Sequence, residues 1–539
     1  LKAEGVTPVT IPEALLSDDT GLQTFINDTR QNQGPIRGLV HLLPLSASVL
    51  TGESALSEWR NQTRRNELSL YRLLQLTADD LQDGGLVLAA TGMGGYFGRQ
   101  SLPAVGLTAR GGETGLLKSV NDEWSSVSVK AVDLDCGIDP ARNAQNLFTE
   151  ICLPGGRIEI GYPQSARTIF KTQLSGLDES EAEHQRQPDS SWVVLATGGA
   201  RGITAEVLMG LAEKGLNMIL VGRTPEPPVE DHQIAELKTA EELRRYLLET
   251  ARTEQRTPKP VEIEREVNTI LRDREIASNI NDFRTAGAHV DYRVTDVRDE
   301  EQVSSLLDAV YEQYGRLDGV VHGAGIIEDK LLADKDPDSA ARVFDTKVDS
   351  AFVLSKYLRP DQLRFLIFFT SVAGRYGNTG QTDYAAANET VNRMAWQLHH
   401  QWQGKVKVSA INWGPWEATR YGKGMVTPEA QRKFEKMGVV LVPPAAGRRL
   451  FMDEITRSPL SQVEVIGGEG PWEAREAERG AFHTAANSVV AEKDKIKTHA
   501  YPLIAGSLQS SGPRGEIIFR RTVNTENDYY LSQHLLDDI

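Results

Sequence analysis

Three groups of residues have the types and spacing that chemistry requires. Ser371, Tyr384 and Asn388 follow one another within the stretch 369–388, with Tyr384 thirteen residues after Ser371, and Lys347 lies upstream. A tyrosine hydroxyl, whose pKa is ordinarily about 10, hands a proton to a developing alkoxide only when nearby positive charge draws that pKa toward neutrality. In the second group, Thr197, Gly198, Gly199, Ala200, Arg201, Gly202 and Ile203 join an apolar run to a stretch rich in Ala, Leu and Met. Glycines at 198 and 202 let the backbone turn tightly and approach a pyrophosphate, which the N-terminus of the following helix attracts. The third group, Gly222, Arg223 and Thr224, ends the next apolar run. NAD-binding folds place an acidic residue there, against the ribose 2′-hydroxyl. Arg223, with Arg201, instead offers planar donors to a 2′-phosphate. The pattern predicts a dinucleotide site that prefers NADPH to NADH.

Strands alternating with helices must carry these groups. Apolar runs at 192–196, 217–221, 289–294, 319–322, 363–369 and 406–412 read as strands between amphipathic helices, which implies a parallel, doubly wound sheet. Asp296 and Val297 close the third run, and Gly323, Ala324 and Gly325 follow the fourth, at the carboxyl edge where a cofactor lies in such a sheet. The segment 226–287, dense in Glu, Arg, Leu and Ile at helical spacing, reads as a helical insertion. Residues 34–41, 86–91 and 129–133 parallel 315–322, 366–370 and 408–412, so a degenerate, truncated copy of the same α/β Rossmann-like unit precedes the complete one. That copy lacks the glycine loop and has Arg110 or a glycine where the tyrosine would fall, so it is not expected to catalyse.

Polar stretches at 171–191 and 473–497 read as linkers. The expected division is a structural subdomain at 1–185, a catalytic subdomain at 186–472, a linker at 473–497 and a short β-rich piece at 498–539. A length of 539 residues is too great for one core, and 40% hydrophobic with 25% charged residues is an ordinary globular composition. The formal charge of −16 argues against nucleic acid or an anionic membrane as the main partner. Neither a run of 18 apolar residues nor a signal-like leader is present, so a cytoplasmic location is expected. The two cysteines, Cys136 and Cys152, lack metal-ligand spacing and read as buried thiols; no metal is expected.

The order of the glycine loop, Asp296 with Val297, His322 with Ala324 and Gly325, Ser371 and Tyr384 resembles the short-chain dehydrogenase/reductase superfamily. It is closest to the ketoreductase domains of polyketide and polyunsaturated-fatty-acid synthases. The resemblance implies that Ser371 hydrogen-bonds a substrate carbonyl and that Tyr384 is the general acid. Most of the superfamily has a lysine four residues after the tyrosine, where this chain has Asn388. In ketoreductases the lysine comes from the preceding helix, which implies that Lys347 lowers the tyrosine pKa and Asn388 supports a relay water. Gly414, Pro415 and Trp416 resemble the loop that passes the nicotinamide, with core packing as the alternative for the tryptophans. Residues 417–436, with Met425, resemble a substrate lid. Asp329, in the segment 327–329, matches an element of ketoreductases that form the D (3R) alcohol, and Tyr376 stands where the opposite class has tryptophan.

Residues 499–504 and 515–520 resemble the opening of a hot-dog dehydratase domain in which His534 would match the catalytic histidine; a capping hairpin is the alternative. The function implied is NADPH-dependent reduction of a 3-ketoacyl group held by phosphopantetheine on an acyl carrier protein. Neighbouring dehydratase, acyltransferase and ketosynthase domains are the implied partners. The rival readings are a carbonyl reductase of free small ketones and a catalytically silent scaffold.

Overall fold

The computed structural model describes residues 6–51, 54–100, 106–153, 156–174, 177, 187–421, 428–478, 507–511 and 517–520. They fall into two compact units, 1–482 and 483–539.

In the first unit, a five-stranded sheet comprises β1 (Gly38–His41), β2 (Leu86–Thr91), β3 (Ser128–Leu134), β4 (Glu159–Tyr162) and β5 (Thr168–Ile169) in that spatial order. The first four are parallel and β5 runs antiparallel to β4. A seven-stranded parallel sheet comprises β6 (Val193–Thr197), β7 (Asn217–Gly222), β8 (His289–Val294), β9 (Gly319–His322), β10 (Phe365–Ser371), β11 (Lys407–Trp413) and β12 (Glu464–Gly467). Its order, β12-β11-β10-β9-β6-β7-β8, reverses direction between β6 and β9. That is the switch point at which doubly wound sheets bind ligands. The alternation expected of strands buried on both faces is visible in β6 and the residue before it. Val193 and Leu195 enter one apolar cluster, while Trp192, Val194 and Ala196 enter the other.

Among the described residues, the smaller sheet repeats β9-β10-β11-β12 in β1-β2-β3-β4 and has no counterpart of β6, β7 and β8. This is why the first half of the chain carries no glycine loop. Its helix α1 (Gly112–Glu123) lies against the helix that bears Tyr384, and the approach is close. A Cβ on Gly115 would stand 2.4 Å from Ala385 O, and one on Gly112 would stand 2.4 Å from Thr390 Oγ1. Around this seam a buried ionic cluster ties the two sheets together. Glu159 accepts from Lys118 Nζ at 2.7 Å, Arg99 Nη1 at 2.8 Å and Arg375, and Glu464 accepts from Arg393 at 2.8 Å.

Between α2 (Gly202–Ala212) and β8 lie α3 (Ala240–Thr253) and α4 (Pro260–Thr285). Leu243, Leu247, Ile263 and Val267 form a small core of their own at the α3–α4 contact. Farther along α4, Ile276, Ile280 and Phe283 join the core of the large sheet. The long segment is therefore half satellite and half sheet-covering helix.

Two expectations change. Both cysteines are exposed: Cys136 lies just beyond the end of β3 and Cys152 ends a helix, Pro140–Cys152. Residues Trp472–Glu478 form a helix, and Glu476 is buried against Arg375 at 2.5 Å, so the polar run beginning at 473 starts inside the folded body. Polarity marks a linker only where no buried cation calls for a carboxylate. The strands β4, β5 and β12, only four, two and four residues long, are too short to carry a pattern legible in the sequence. In the second unit, Ser507–Ser511 pairs antiparallel with Ile517–Arg520. The segment 499–504 and His534 lie outside the described residues.

Candidate active site

At the switch point the strand ends are locked by Thr197, which is fully buried. Its hydroxyl bonds His322 Nδ1 at 2.8 Å and accepts from Ala324 N at 3.2 Å, while its carbonyl accepts from Gly323 N at 3.1 Å. Burial, with the Lys347 charge, pushes His322 down to about 3, so the ring is neutral and acts as a spacer. Gly198 and Gly202 have φ of 67° and 56°, a region that L side chains resist. A Cβ on Gly323 would stand 2.2 Å from Thr204 Oγ1, so no larger residue fits there.

A cavity of about 1660 Å³ runs along this edge. That exceeds the roughly 300–1,000 Å³ of ordinary ligand pockets. Gly198, Ala200, Arg201, Gly202 and Ile203 form its floor, and Gly222, Arg223, Thr224, Asp296 and Val297 form the wall at the ends of β7 and β8. Gly323, Ala324, Gly325 and Trp416 continue toward the other end, where Lys347, Phe369, Thr370 and Tyr384 stand. Gly199 faces the core instead: a Cβ there would lie 2.8 Å from Ala196 Cβ. Gly414 and Pro415 lie behind the wall, where Gly414 N donates to Gly467 O at 2.9 Å and Pro415 O accepts from Val442 N at 2.7 Å. Trp416 serves both readings of the tryptophans, since it lines the cavity yet is 2% exposed and packs edge-on to Trp413.

Arg223 is exposed on the cavity wall. Hydrogen bonds from Arg298 hold Asp296 below the usual carboxylate range, and the Arg223 charge adds to this. These donors and the positive-φ glycines fit a nicotinamide dinucleotide, while the first N–H of α2 is held by Glu275 Oε1 at 2.8 Å.

The reacting end is assembled from three elements. Helix α5 (Pro337–Tyr357) opens on Pro337, with the Asp336 side chain accepting from Asp338 N, and carries Lys347. Strand β10 ends at Ser371, whose Oγ caps α6 (Val372–Tyr376) by accepting from Ala373 N at 3.1 Å. The same hydroxyl also bonds the Tyr384 phenol. Helix α7 (Thr382–Gln401) carries Tyr384 and, one turn later, Asn388. Fully buried Asn388 donates Nδ2 to Tyr384 O at 2.7 Å, which leaves its Oδ1 without a hydrogen-bond partner. Burial pushes the Tyr384 phenol up, the Asn388 and Ser371 side chains draw it down, and the Asp329 charge pushes it up again.

Lys347 behaves differently from the expectation that it acts on this phenol. Burial takes its amine down to about 8, and Nζ donates to Phe369 O at 2.6 Å. An ammonium only 4% exposed must find an acceptor, and the strand carbonyl beside it supplies one.

Asp329 bonds Gln381 Nε2 through both carboxylate oxygens at 3.0 Å, three residues before Tyr384. Tyr376 stands apart from the cavity: it is 1% exposed, stacked on Trp472 with ring centroids 4.9 Å apart, and bonded to Thr172. Met425 lies outside the described residues. Two contributors had no signal in the sequence. Lys335 forms a buried ion pair with Asp383 at 2.6 Å directly before Tyr384, and Glu275 of α4 reaches the glycine loop. Each is one charged residue among many until the fold brings it inside.

Residues 193–418 match the KR domain family. A polyunsaturated fatty acid synthase polypeptide of Thraustochytrium sp. is 30% identical over 392 residues, 69% of this chain and 13% of that polypeptide. Polyketide synthase PksN of Bacillus subtilis is 29% identical over 240 residues, 41% of this chain and 4% of that synthase. The chain thus spans a small part of the relatives it matches. Among solved structures, an A-type ketoreductase from a modular polyketide synthase aligns with TM-score 0.63 at 20% identity, over 88% of this chain and 87% of that one. An N-terminal ketoreductase from the macrolactin assembly line aligns with TM-score 0.60 at 20% identity, over 86% and 79%. No helix among the described residues is long and apolar enough to cross a membrane. The fold, the cleft at its switch point and the family match agree, and residues 193–418 form a ketoreductase domain similar to those of polyketide and polyunsaturated-fatty-acid synthases.

Proposed function

We propose that this domain uses NADPH to reduce a 3-ketoacyl thioester, carried on the phosphopantetheine of an acyl carrier protein, to the D (3R) 3-hydroxyacyl thioester within a multidomain synthase. The reading is carried by one observation: Tyr384 and Lys347 stand at one end of a cavity whose far end presents Arg201 and Arg223 around a glycine loop. A dinucleotide bound along that floor would be held by Arg223 at its adenosine phosphate and would leave its nicotinamide near Tyr384. When bound, the cofactor supplies a hydride to the carbonyl carbon.

The chain's own residues do the rest. Ser371 Oγ–H and Tyr384 O–H donate to the substrate carbonyl oxygen and fix the face presented. As charge builds on that oxygen, Tyr384 gives up its proton. Lys347, bonded to Phe369 O, holds the end of the strand that carries Ser371 at the same end of the cavity. The partnerless Asn388 Oδ1 offers an acceptor to a water that returns the proton. The hold of Asp329 on Gln381 shapes the mouth next to Tyr384 and supports the D outcome.

The test is NADPH oxidation with a 3-ketoacyl N-acetylcysteamine thioester and with the same acyl group on a carrier protein, each repeated with NADH and with a free ketone. NADPH-selective turnover, faster on the carrier, is expected. In Tyr384→Phe, kcat should fall about 10²–10⁴-fold, the range for loss of a general acid, with the NADPH Kd unchanged. Unchanged kcat would remove Tyr384 from the mechanism, and turnover of free ketones alone would favour a stand-alone carbonyl reductase.

A further inference from the structure

The N-terminus of α2 is already occupied, and by the protein itself. Arg201 stands at the N-cap position of this helix without capping it through its own side chain. The Gly202 N–H donates instead to Glu275 Oε1 at 2.8 Å, and Glu275 Oε2 lies 3.2 Å from Arg201 Nε. Glu275 comes from α4, in the segment between β7 and β8, and is 8% exposed. One turn later, on the same face of α4, Asn279 Nδ2 donates to Ala200 O at 3.0 Å. The neighbouring Ile276 and Ile280 are buried in the core of the large sheet. The carboxylate is therefore held against the loop by a seated helix and is not a surface group passing by.

A helix N-terminus with a guanidinium beside it is an anion site. The anion expected there in a doubly wound dinucleotide fold is the pyrophosphate. We propose that Glu275 is a built-in competitor of the cofactor pyrophosphate: its carboxylate holds the Gly202 N–H and Arg201, and thereby sets how tightly the nucleotide binds. This rests on the reading of the cavity as the nicotinamide-dinucleotide site. Glu275 touches neither Arg223 nor the reacting end, so the effect falls on what NADPH and NADH share. Of the two bonds, the one from Gly202 N–H also caps α2.

Glu275→Gln separates charge from shape, since the amide keeps a carbonyl acceptor for Gly202 N–H and the same volume. Glu266, exposed on the same helix, gives the control: Glu266→Gln makes an equal change in net charge away from the loop. Kd values for NADPH, NADH and ADP-ribose would be measured on the full chain by calorimetry, without substrate. In Glu275→Gln all three should tighten about tenfold, with Glu266→Gln at the wild-type values and the thioester KM unchanged. Unchanged or weaker binding in Glu275→Gln overturns the competition. Equal tightening in Glu266→Gln reduces it to net charge and overturns it as well. Tightening confined to NADPH would move Glu275 to the 2′-phosphate and overturn the pyrophosphate assignment. If the wild type and both variants bind none of the three ligands, the dinucleotide reading itself falls.

Discussion

Replacing Lys347 by Met should make the pH dependence of stability report the burial of this amine. The side chain is 4% exposed, and burial lowers its pKa from 10.5 to about 8. A base depressed in the folded state binds a proton less readily there than in the unfolded chain, so the charged amine costs the fold about 3 kcal/mol wherever both states are protonated. That cost is complete below pH about 8 and fades as pH rises toward the unfolded value. A methionine thioether has nothing to titrate. The advantage of Lys347→Met over wild type should therefore shrink by about 2 kcal/mol between pH 7 and pH 9.5. The loss of the bond to Phe369 O shifts the variant by a constant and does not enter this difference. Urea unfolding of both proteins, without cofactor, at the two pH values measures it. A difference between them that does not change with pH would refute the assignment of the depressed amine to Lys347.

Two further outcomes follow from buried or exposed charge. Arg223→Gln should raise the NADPH KM about 10–100-fold and leave the NADH KM within about twofold, because charge-assisted bonds to a 2′-phosphate are worth about 1.5–3 kcal/mol; initial rates with each nucleotide test it. Lys335→Met leaves Asp383 buried without its cation and should cost about 3–5 kcal/mol, with much of this recovered in Lys335→Met/Asp383→Asn; denaturant melts of the three proteins give the answer.

The seam between the sheets gives the degenerate half of the chain a physical task. The backbone of α1 presses directly on the first turns of α7, and Lys118 Nζ donates to Arg375 O at 2.9 Å within α6. The two helices flanking Ser371 and Tyr384 are thus braced from a sheet that has no cofactor loop of its own. Loss of a glycine loop removes chemistry but leaves an apolar face and a set of buried charges, which suffice to position a neighbour.

Local chemistry made much of this protein legible from its residues alone. Short continuous apolar runs, glycines where the backbone must turn at positive φ, and a strand-end Ser followed by a helical Tyr are short-range requirements, and they located six strands and the cofactor loop close to where the structure has them. Tertiary structure decided what depends on neighbours distant in sequence. The Lys347 amine points to a strand carbonyl because burial obliges it to find an acceptor. Glu476 leaves an apparent linker to meet Arg375. Glu275 crosses from a helix 73 residues away in sequence to the glycine loop. A charge is mobile on the surface and indistinguishable from its neighbours in a sequence; only the fold removes it from water and forces it to choose a partner.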